Sequence, residues 1–198
     1  MRNELPRGLA AATLALLAAC RTTPPAVPTS PAWQLRCPQL QARAHFALKG
    51  RVAVAAGGQG FNASLRWAQE GAASRVALEG PLGAGAVHIS AQGNELNIAT
   101  ANGTRLESDA ARAELSARLG FDPPLASLRY WVLGVPDPAQ PAAETLDEVH
   151  QRLARLDQAG WRIDYGSYMA VGAEWLPARV TLERDDVRVR LIVDNWQS

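Results

Sequence analysis

The sequence has little of several features that mark common protein classes. Positive and negative charges nearly balance, with 20 Lys and Arg against 19 Asp and Glu in 198 residues. This balance argues against phosphate-driven binding of nucleic acid. Only two cysteines are present, and aromatic residues make up 6% of the chain. With 47% hydrophobic and 20% charged residues, the composition excludes collagen, coiled coil and wholesale disorder, and the length indicates one globular domain.

Signatures of catalysis and metal binding are also missing from the sequence. It contains no G-x-S-x-G nucleophile elbow, no P-loop and no dinucleotide-binding glycine motif between a strand and a helix. The three histidines, His45, His88 and His150, are far apart in the chain and form no cluster with metal-ligand spacing. We therefore predict that the protein is not an enzyme and holds no metal or dissociable cofactor.

The amino terminus has the pattern of a bacterial export signal. Arg2 and Arg7 precede a short apolar run from Leu9 to Leu17, and residues 17–20 read Leu-Ala-Ala-Cys. The run is too short for a membrane span, which needs about 20 residues. This pattern looks like a lipobox, so we predict that residues 1–19 are a removed signal peptide and that Cys20 carries covalent lipid, palmitate included.

A proline-rich segment follows the predicted lipidation site. Residues 20–32 contain four prolines among small polar residues, a composition typical of an extended tether. The alternative is a secreted protein in which Cys20 and Cys37 form a disulfide, and their separation of 17 permits it. We therefore expect a lipidated tether at residues 20–32 and a single domain at residues 33–198.

Most of the predicted domain has the period-two hydrophobic alternation of β-strands. Short strands separated by glycine turns indicate an antiparallel meander, and Asn102-Gly103 is a strong hairpin signal. Ala32 to Arg43 has helical spacing, but Pro38 interrupts it, which predicts a short, irregular helix. The apolar residues that begin the alternation in the successive segments are Phe46, Phe61, Val76, Val87, Leu96, Trp161, Val180 and Val187.

Two helices are predicted in the middle of the chain. Ser108 is expected to cap a helix from Asp109 to Leu119 that stops at Gly120, and Pro123-Pro124 is expected to open a second helix from Leu125 to Leu133. Residues 143–158 fit either a helix or two short strands, and the periodicity slightly favours the helix. The whole pattern predicts a mainly β domain of about ten strands, with helices on one side of the sheet.

Taken together, these motifs resemble the LolB family of outer-membrane lipoproteins, which receive other lipoproteins from the periplasmic carrier LolA. The resemblance covers nearly the whole predicted mature chain. Its segments are the lipobox at Cys20, Phe46 to Val52, Gly80-Pro81-Leu82-Gly83, Ser127 to Pro136, Gly160-Trp161 with Tyr165-Gly166-Ser167-Tyr168, and Asp194-Asn195-Trp196.

The resemblance implies an incomplete, half-open antiparallel β-barrel of ten or eleven strands, with a helical lid over an apolar cavity. It also favours strands over a helix between residues 145 and 157. In related sorting systems an Asp directly after the lipidated cysteine causes retention in the inner membrane, and Arg21 occupies that position here. The implied location is the outer membrane, with the domain facing the periplasm.

The resemblance further implies which residues act in lipoprotein localization and protein transport. Cys20 is the lipidation site, and Leu82 lies where the family has a protruding apolar residue that inserts into the target membrane. The implied partners are LolA, triacylated lipoprotein cargo and outer-membrane lipid, bound by a monomeric chaperone-like receptor. The candidate residues for lining the implied cavity are inward positions of the alternating strands, Leu48, Val52, Leu65 and Trp67, together with the lid-helix residues Leu128, Trp131 and Val132.

Two other functions fit the sequence. One is a periplasmic sensor that binds lipid or glycolipid on a similar half-barrel, since a fold does not fix its ligand. The other is a purely structural lipoprotein with a filled core. An apolar Leu82 directed at a bilayer distinguishes the receptor, because neither alternative needs it.

Overall fold

A computed structural model describes residues 30–80 and 85–197. The predicted leader, Cys20, most of the tether and Leu82 lie outside the described residues. Three helices and eleven strands make up the described domain. The helices are α1 (Pro31–Gln41), α2 (Ser108–Leu119) and α3 (Leu125–Trp131); the strands are β1 (His45–Ala56), β2 (Gln59–Glu70), β3 (Ala73–Glu79), β4 (Val87–Gln92), β5 (Glu95–Thr100), β6 (Arg105–Glu107), β7 (Ala142–Leu146), β8 (Leu153–Gln158), β9 (Trp161–Val171), β10 (Glu174–Arg184) and β11 (Val187–Gln197).

All eleven strands belong to one antiparallel sheet, in the order β6-β5-β4-β3-β2-β1-β11-β10-β9-β8-β7. Two meanders, β1 to β6 and β7 to β11, are joined where the first strand pairs with the last. Because strands twist in one sense, a sheet of this many strands curls strongly. The sheet is open, with β6 and β7 at its two edges. The mainly β, half-open architecture predicted above is confirmed.

Alternation along the central strands directs apolar side chains to one face of the sheet. In β1, Phe46 and Leu48 are buried while Lys49 and Arg51 are exposed. Successive side chains of a strand point to opposite faces, so the apolar series forms the concave face and packs against the helices. The outward face carries cross-strand ion pairs such as Arg66 with Glu79.

The first helix packs one side against the sheet. Ser30 caps α1 by accepting a hydrogen bond from the backbone N–H of Trp33 at 3.3 Å. Trp33, Cys37 and Leu40, spaced four and three residues apart, are its buried residues. Pro38 lies inside this helix, which continues to Gln41.

The middle of the chain, from β6 to α3, differs from the sequence prediction in three details. The cap position of α2 is Glu107, and no side chain caps it; Ser108 is the first helical residue, with φ at 51°. The prediction of Ser108 as the cap is therefore wrong. The second predicted helix ends at Trp131 instead of Leu133. The three-residue strand β6, which hydrogen-bonds to β5, was too short to give a period-two signal.

Glycine ends α2 as predicted. Gly120 has φ at 78° and its N–H donates to the Ser116 carbonyl at 2.8 Å, a left-handed conformation that glycine adopts without a side-chain clash. Gly134, after α3, also has φ at 78°, and a Cβ there would lie 3.0 Å from Pro177 Cγ. Glycine at this position therefore permits close approach of the α3 end to the sheet.

The ambiguous region between residues 143 and 158 consists of two strands. β7 pairs antiparallel with β8, and β8 pairs with β9. Leu153, Leu156 and Gln158 are buried in the sheet. The helix that the periodicity slightly favoured is therefore wrong. The strand signal was weak because a bulge between Thr145 and Leu146 and a six-residue turn interrupt the period-two alternation. In the described part of the chain, no helix has both the length and the apolar character required to cross a membrane.

Candidate functional site

An apolar cavity of about 150 Å³ lies between the concave face of the sheet and the two middle helices. Every lining residue has an apolar or aromatic side chain except Ser74, whose hydroxyl bonds to the Gln69 side chain. No charged side chain lines the wall. The cavity is therefore suited to hydrocarbon and unsuited to a charged ligand.

Inward-facing positions of the central strands form the sheet side of the cavity. They come from both meanders, because β1 and β11 are neighbours at the centre of the sheet. The wall includes Val52 of β1, Leu65 of β2 and Leu191 of β11, and these residues belong to the alternating apolar series. The sequence pattern that produces the sheet thus also produces the apolar wall.

The helical side of the cavity is built from α2, α3 and the segment between them. Leu115 and Leu119 are one turn apart on α2, and Leu128 and Trp131 are three residues apart on α3. Residues at these spacings share a helix face, and both faces contact the cavity. Phe121, Pro123 and Pro124 close the gap between the helices.

The structure brings together six of the seven residues predicted to line a cavity. Those on the wall are Val52, Leu65, Trp67, Leu128, Trp131 and Val132.

Leu48 does not lie on this wall, which corrects its assignment to the cavity lining. Its side chain is 1% exposed in the close-packed core, opposite Trp67 and Trp196 on the two neighbouring strands. The Phe46 ring centroid lies 5.8 Å from the ring centroids of both tryptophans, tilted against Trp67 and edge-on to Trp196. Aromatic packing therefore fills this end of β1, although its alternation continues unchanged.

Several wall residues were absent from the sequence prediction. Leu115 and Leu119 carried a usable signal, their spacing of four residues in α2. Phe61 and Trp161 were recognised as inward strand positions, but alternation alone does not separate a cavity wall from filled core. Phe121 lies outside regular secondary structure and had no periodic signal at all.

A buried polar network fastens α3 to the sheet beside the cavity. Trp131 Nε1 donates to Gln158 Oε1 at 2.7 Å, and the Tyr165 hydroxyl donates to the Trp131 carbonyl at 3.0 Å. Ser127 Oγ donates to Asp137 Oδ2 at 2.7 Å. Burial raises the pKa of Tyr165 well above its usual value, so the hydroxyl keeps its proton and remains a donor. The network holds α3 in one position relative to β8 and β9.

A second polar contact joins α1 to the sheet edge. Trp33 Nε1 donates to Glu144 Oε2 of β7 at 2.6 Å. Burial raises the pKa of Glu144, and the hydrogen bond from Trp33 partly opposes that rise. Burial is also the main cause that raises the pKa of Cys37 to about 12. Cys37 is therefore a neutral thiol at physiological pH, which suits a packing role.

The three histidines lie on separate elements. His45 begins β1, His88 is in β4, and His150 is in the turn after β7, where it contacts Asp147. Residues 30–80 and 85–197 contain no group of three or more His, Cys, Asp or Glu side chains placed to hold a metal ion.

Comparison with known proteins connects this geometry to one family. The family model described as "Outer membrane lipoprotein LolB" matches residues 44–196. The outer-membrane lipoprotein LolB of Nitrosococcus oceani is 33% identical over 188 residues, covering 93% of this chain and 94% of the relative. The LolB proteins of Pseudomonas aeruginosa, 32% identical over 194 residues, and of an Azoarcus species, 33% identical over 189, cover 96% of this chain and 94% and 93% of their own lengths.

Solved structures with low sequence identity share the fold. A LolA superfamily protein from Nitrosomonas europaea has a TM-score of 0.55 at 10% identity, covering 83% of this chain and 92% of its own. A DUF1329 family protein from Desulfovibrio piger has a TM-score of 0.58 at 9% identity, covering 84% and 90%. The family model spans nearly all of the sheet, and the relatives above are aligned over most of their lengths. The chain therefore belongs to the LolB family of outer-membrane lipoproteins.

Proposed function

We propose that this protein is a lipid-anchored receptor that accepts lipoproteins from the periplasmic carrier LolA and inserts them into the outer membrane. The observation that carries the proposal is the apolar cavity between the concave face of the sheet and the helices α2 and α3. An acyl chain is hydrocarbon, and each buried CH₂ contributes about 0.8 kcal/mol. A triacylated protein therefore needs an apolar escort to cross water.

The size of the cavity indicates that binding requires movement. An apolar cavity of about 150 Å³ holds a molecule of the size of benzene, whereas an acyl chain of myristoyl length has more than twice as many carbons. Uptake of a chain therefore needs the apolar side chains of α2 and α3 to move away from the sheet face and widen the cavity. The apolar contacts of Leu115 and Leu128 with the wall are the ones that an acyl chain would replace.

Anchoring and insertion are assigned to parts of the chain outside the described residues. Cys20 carries the lipid, the residues from there to 29 tether the domain to the membrane surface, and Leu82 enters the bilayer. Pro31 and Ala32, which the sequence analysis assigned to the tether, belong to α1. Gly80 and Gly85 flank the segment that contains Leu82, between β3 and β4. We expect the receptor to bind cargo more tightly than LolA does and less tightly than the bilayer does. Transfer then runs downhill without nucleotide hydrolysis, in agreement with the absence of a nucleotide motif from the sequence.

The test is transfer of a labelled lipoprotein. The chain from Arg21 onward, which lacks only the leader and Cys20, is mixed with LolA loaded with a labelled triacylated lipoprotein, and the two proteins are then separated. We expect the label to move to the receptor chain. A folded chain that takes no label from LolA would contradict the proposal and would favour the lipid sensor or the structural lipoprotein.

A further inference from the structure

Three tryptophan side chains lie on the cavity wall, and their indole N–H groups differ. Trp67 Nε1 donates to Gln69 Oε1 at 3.3 Å, and Trp131 Nε1 donates to Gln158 Oε1 at 2.7 Å. Trp161 Nε1 is closed to solvent, yet no acceptor among the described residues lies within hydrogen-bonding distance. Two of the three donors are thus satisfied by the protein itself, and the third is directed to no group of the described fold.

The unpaired indole is unusual among the buried polar groups of the described domain. The other buried nitrogens without a partner belong to the guanidinium groups of Arg36, Arg129 and Arg152, and a guanidinium has five donors. An indole has only one. Buried donors in native proteins are paired in the great majority of cases, because leaving one unpaired is unfavourable. A ligand acceptor would satisfy the Trp161 donor.

The position of Trp161 is fixed from several sides. It is the first residue of β9, directly after the turn at Ala159-Gly160, so it lies at the rim of the sheet. Its ring is 5.5 Å from that of Phe121, and the Arg184 guanidinium lies 4.5 Å from the ring centroid. Its side chain is 2% exposed. The Trp161 ring is therefore held at one end of the apolar cavity, with its Nε1 enclosed in this packing.

The chemistry of the wall restricts the acceptor that would pair with this donor. The Arg184 guanidinium lies over the Trp161 ring but is not part of the cavity lining, and no charged side chain lines the cavity, so a carboxylate or phosphate drawn into it would meet no counter-charge on the wall. A neutral carbonyl attached to hydrocarbon has no such cost. In an acylated cargo, the carbonyl of the ester bond is the first polar group beyond the acyl chain, so a chain in the cavity brings this group toward the rim.

We infer that Trp161 Nε1 donates a hydrogen bond to an acyl ester carbonyl of the bound lipoprotein cargo and so sets the depth of the acyl chain in the cavity. This inference rests on the proposed function. It assigns to Trp161 a binding role in addition to its place on the wall. The bond would recognise the ester linkage of the cargo, which apolar contacts alone do not distinguish from an ether.

The test compares two synthetic triacylated lipopeptides with the mature chain carrying Cys20→Ala. One lipopeptide has the natural two glyceryl esters, and the other has ether bonds in their place. Trp161→Phe removes the N–H and keeps an aromatic ring, while Trp67→Phe is the matched control whose N–H is already paired inside the protein. We expect Trp161→Phe to weaken diester binding three- to tenfold more than diether binding, in line with one hydrogen bond, whereas Trp67→Phe should affect both lipopeptides equally.

A spectroscopic measurement tests the bond directly. The indole ¹H–¹⁵N signal that disappears in Trp161→Phe should move downfield in the parent chain when the diester lipopeptide binds and should move less with the diether. Equal weakening of both lipopeptides by Trp161→Phe, or equal shifts with both, would overturn the inference while the receptor function stands. Binding of neither lipopeptide by the parent chain would overturn the receptor function, and this inference with it.

A phospholipid arm identifies the source of the ester. Phosphatidylglycerol, supplied as monomers and not as vesicles, carries two glyceryl esters like those of the lipopeptide but has no peptide. Dependence of lipopeptide binding on Trp161 supports the assignment to cargo. If only phosphatidylglycerol binding depends on Trp161, the assignment to cargo is wrong and the carbonyl site belongs to a lipid ligand.

Discussion

Trp131 Nε1 donates to Gln158 Oε1 at 2.7 Å, and this bond connects α3 to β8 beside the cavity. The same oxygen accepts from the Asp137 N–H at 2.9 Å, and Gln158 Nε2 donates to the carbonyls of Asp137 and Gln140, both at 2.9 Å. The amide of Gln158 therefore makes four hydrogen bonds, and its side chain is 3% exposed. Gln158 therefore joins both α3 and the segment after it to the sheet, in addition to the bond from the Tyr165 hydroxyl to the Trp131 carbonyl.

Replacing Gln158 with leucine should destabilise the domain strongly. The substitution leaves the Trp131 indole, the Asp137 N–H and two carbonyls without a partner in a buried site, and each such group costs about 1–3 kcal/mol. We expect the free energy of unfolding to fall by about 3 kcal/mol or more in urea denaturation. The exposed Gln92 provides the control, since Gln92→Leu should change it by about 0.5 kcal/mol or less. Equal effects of the two substitutions would show that the network does not fasten the helix.

The raised pKa of Glu144 predicts a pH dependence of stability. Burial is the main cause of the rise, so the folded state holds the Glu144 proton more tightly than the unfolded state does. Stability from this group is therefore fully present below the ordinary Glu pKa of about 4.5 and is lost as pH rises through the folded-state value.

Glu144→Gln removes this titration and keeps an oxygen that can accept from Trp33. We expect the variant to be at least as stable as the parent at pH 7, with the difference shrinking toward pH 4, when thermal unfolding is followed across that range. Glu148→Gln, at an exposed turn position, is the control and should leave the pH profile unchanged. A parent chain that gains stability over the variant as pH rises would contradict the sign predicted here.

Filling the cavity should block acyl-chain binding without unfolding the protein. Ala91 lines the cavity from β4, and a phenyl ring is close to the size of molecule that an apolar cavity of about 150 Å³ accepts. We expect Ala91→Phe to lower affinity for a fluorescent triacylated lipopeptide at least tenfold and to change the melting temperature little. Ala77→Phe places the same ring on β3, at a position opposite His88 and outside this cavity, and should bind normally. Unchanged binding by Ala91→Phe would place the acyl chain elsewhere.

The sequence was sufficient to predict the sheet and part of the cavity wall, because the inward strand positions of the wall follow from the same alternation as the sheet. Val52 and Leu65 were identified as inward residues from period two alone, and the structure places them on the wall. Leu48 has the same signal but contacts aromatic rings instead of the cavity. Whether an inward side chain meets a void or a neighbour depends on packing across the sheet, and no local pattern contains that information.

The helix ends and the polar contacts were less accessible to sequence reasoning. Ser108 has the residue type of a cap, but the backbone turn after β6 places it one residue too far along, inside the helix. Gln158 lies 27 residues from Trp131 in the chain, and nothing near either residue indicates that they pair. The unpaired N–H of Trp161 likewise depends on which acceptors the fold leaves out of reach.

Leu82→Glu should separate cargo capture from membrane insertion. Leu82 lies outside the described residues, and its role comes from the resemblance to the LolB family, in which an apolar residue of this loop enters the bilayer. A glutamate in its place would have to bring a charge into hydrocarbon, which is unfavourable. Because the loop is remote in sequence from the residues of the helical wall, we expect the variant to accept labelled lipoprotein from LolA at the parent level and to deliver little of it to outer-membrane vesicles.

The matched control for this substitution is Leu35→Glu. Leu35 is an exposed leucine, with 72% of its surface accessible on α1, and the same change there adds the same charge outside the segment that joins β3 and β4. Normal delivery by Leu35→Glu together with failed delivery by Leu82→Glu would tie insertion to this loop and not to the overall charge of the protein. Loss of capture in Leu82→Glu, or delivery at the parent level, would contradict the membrane role of Leu82, since a residue that acts only at the bilayer affects only the second step.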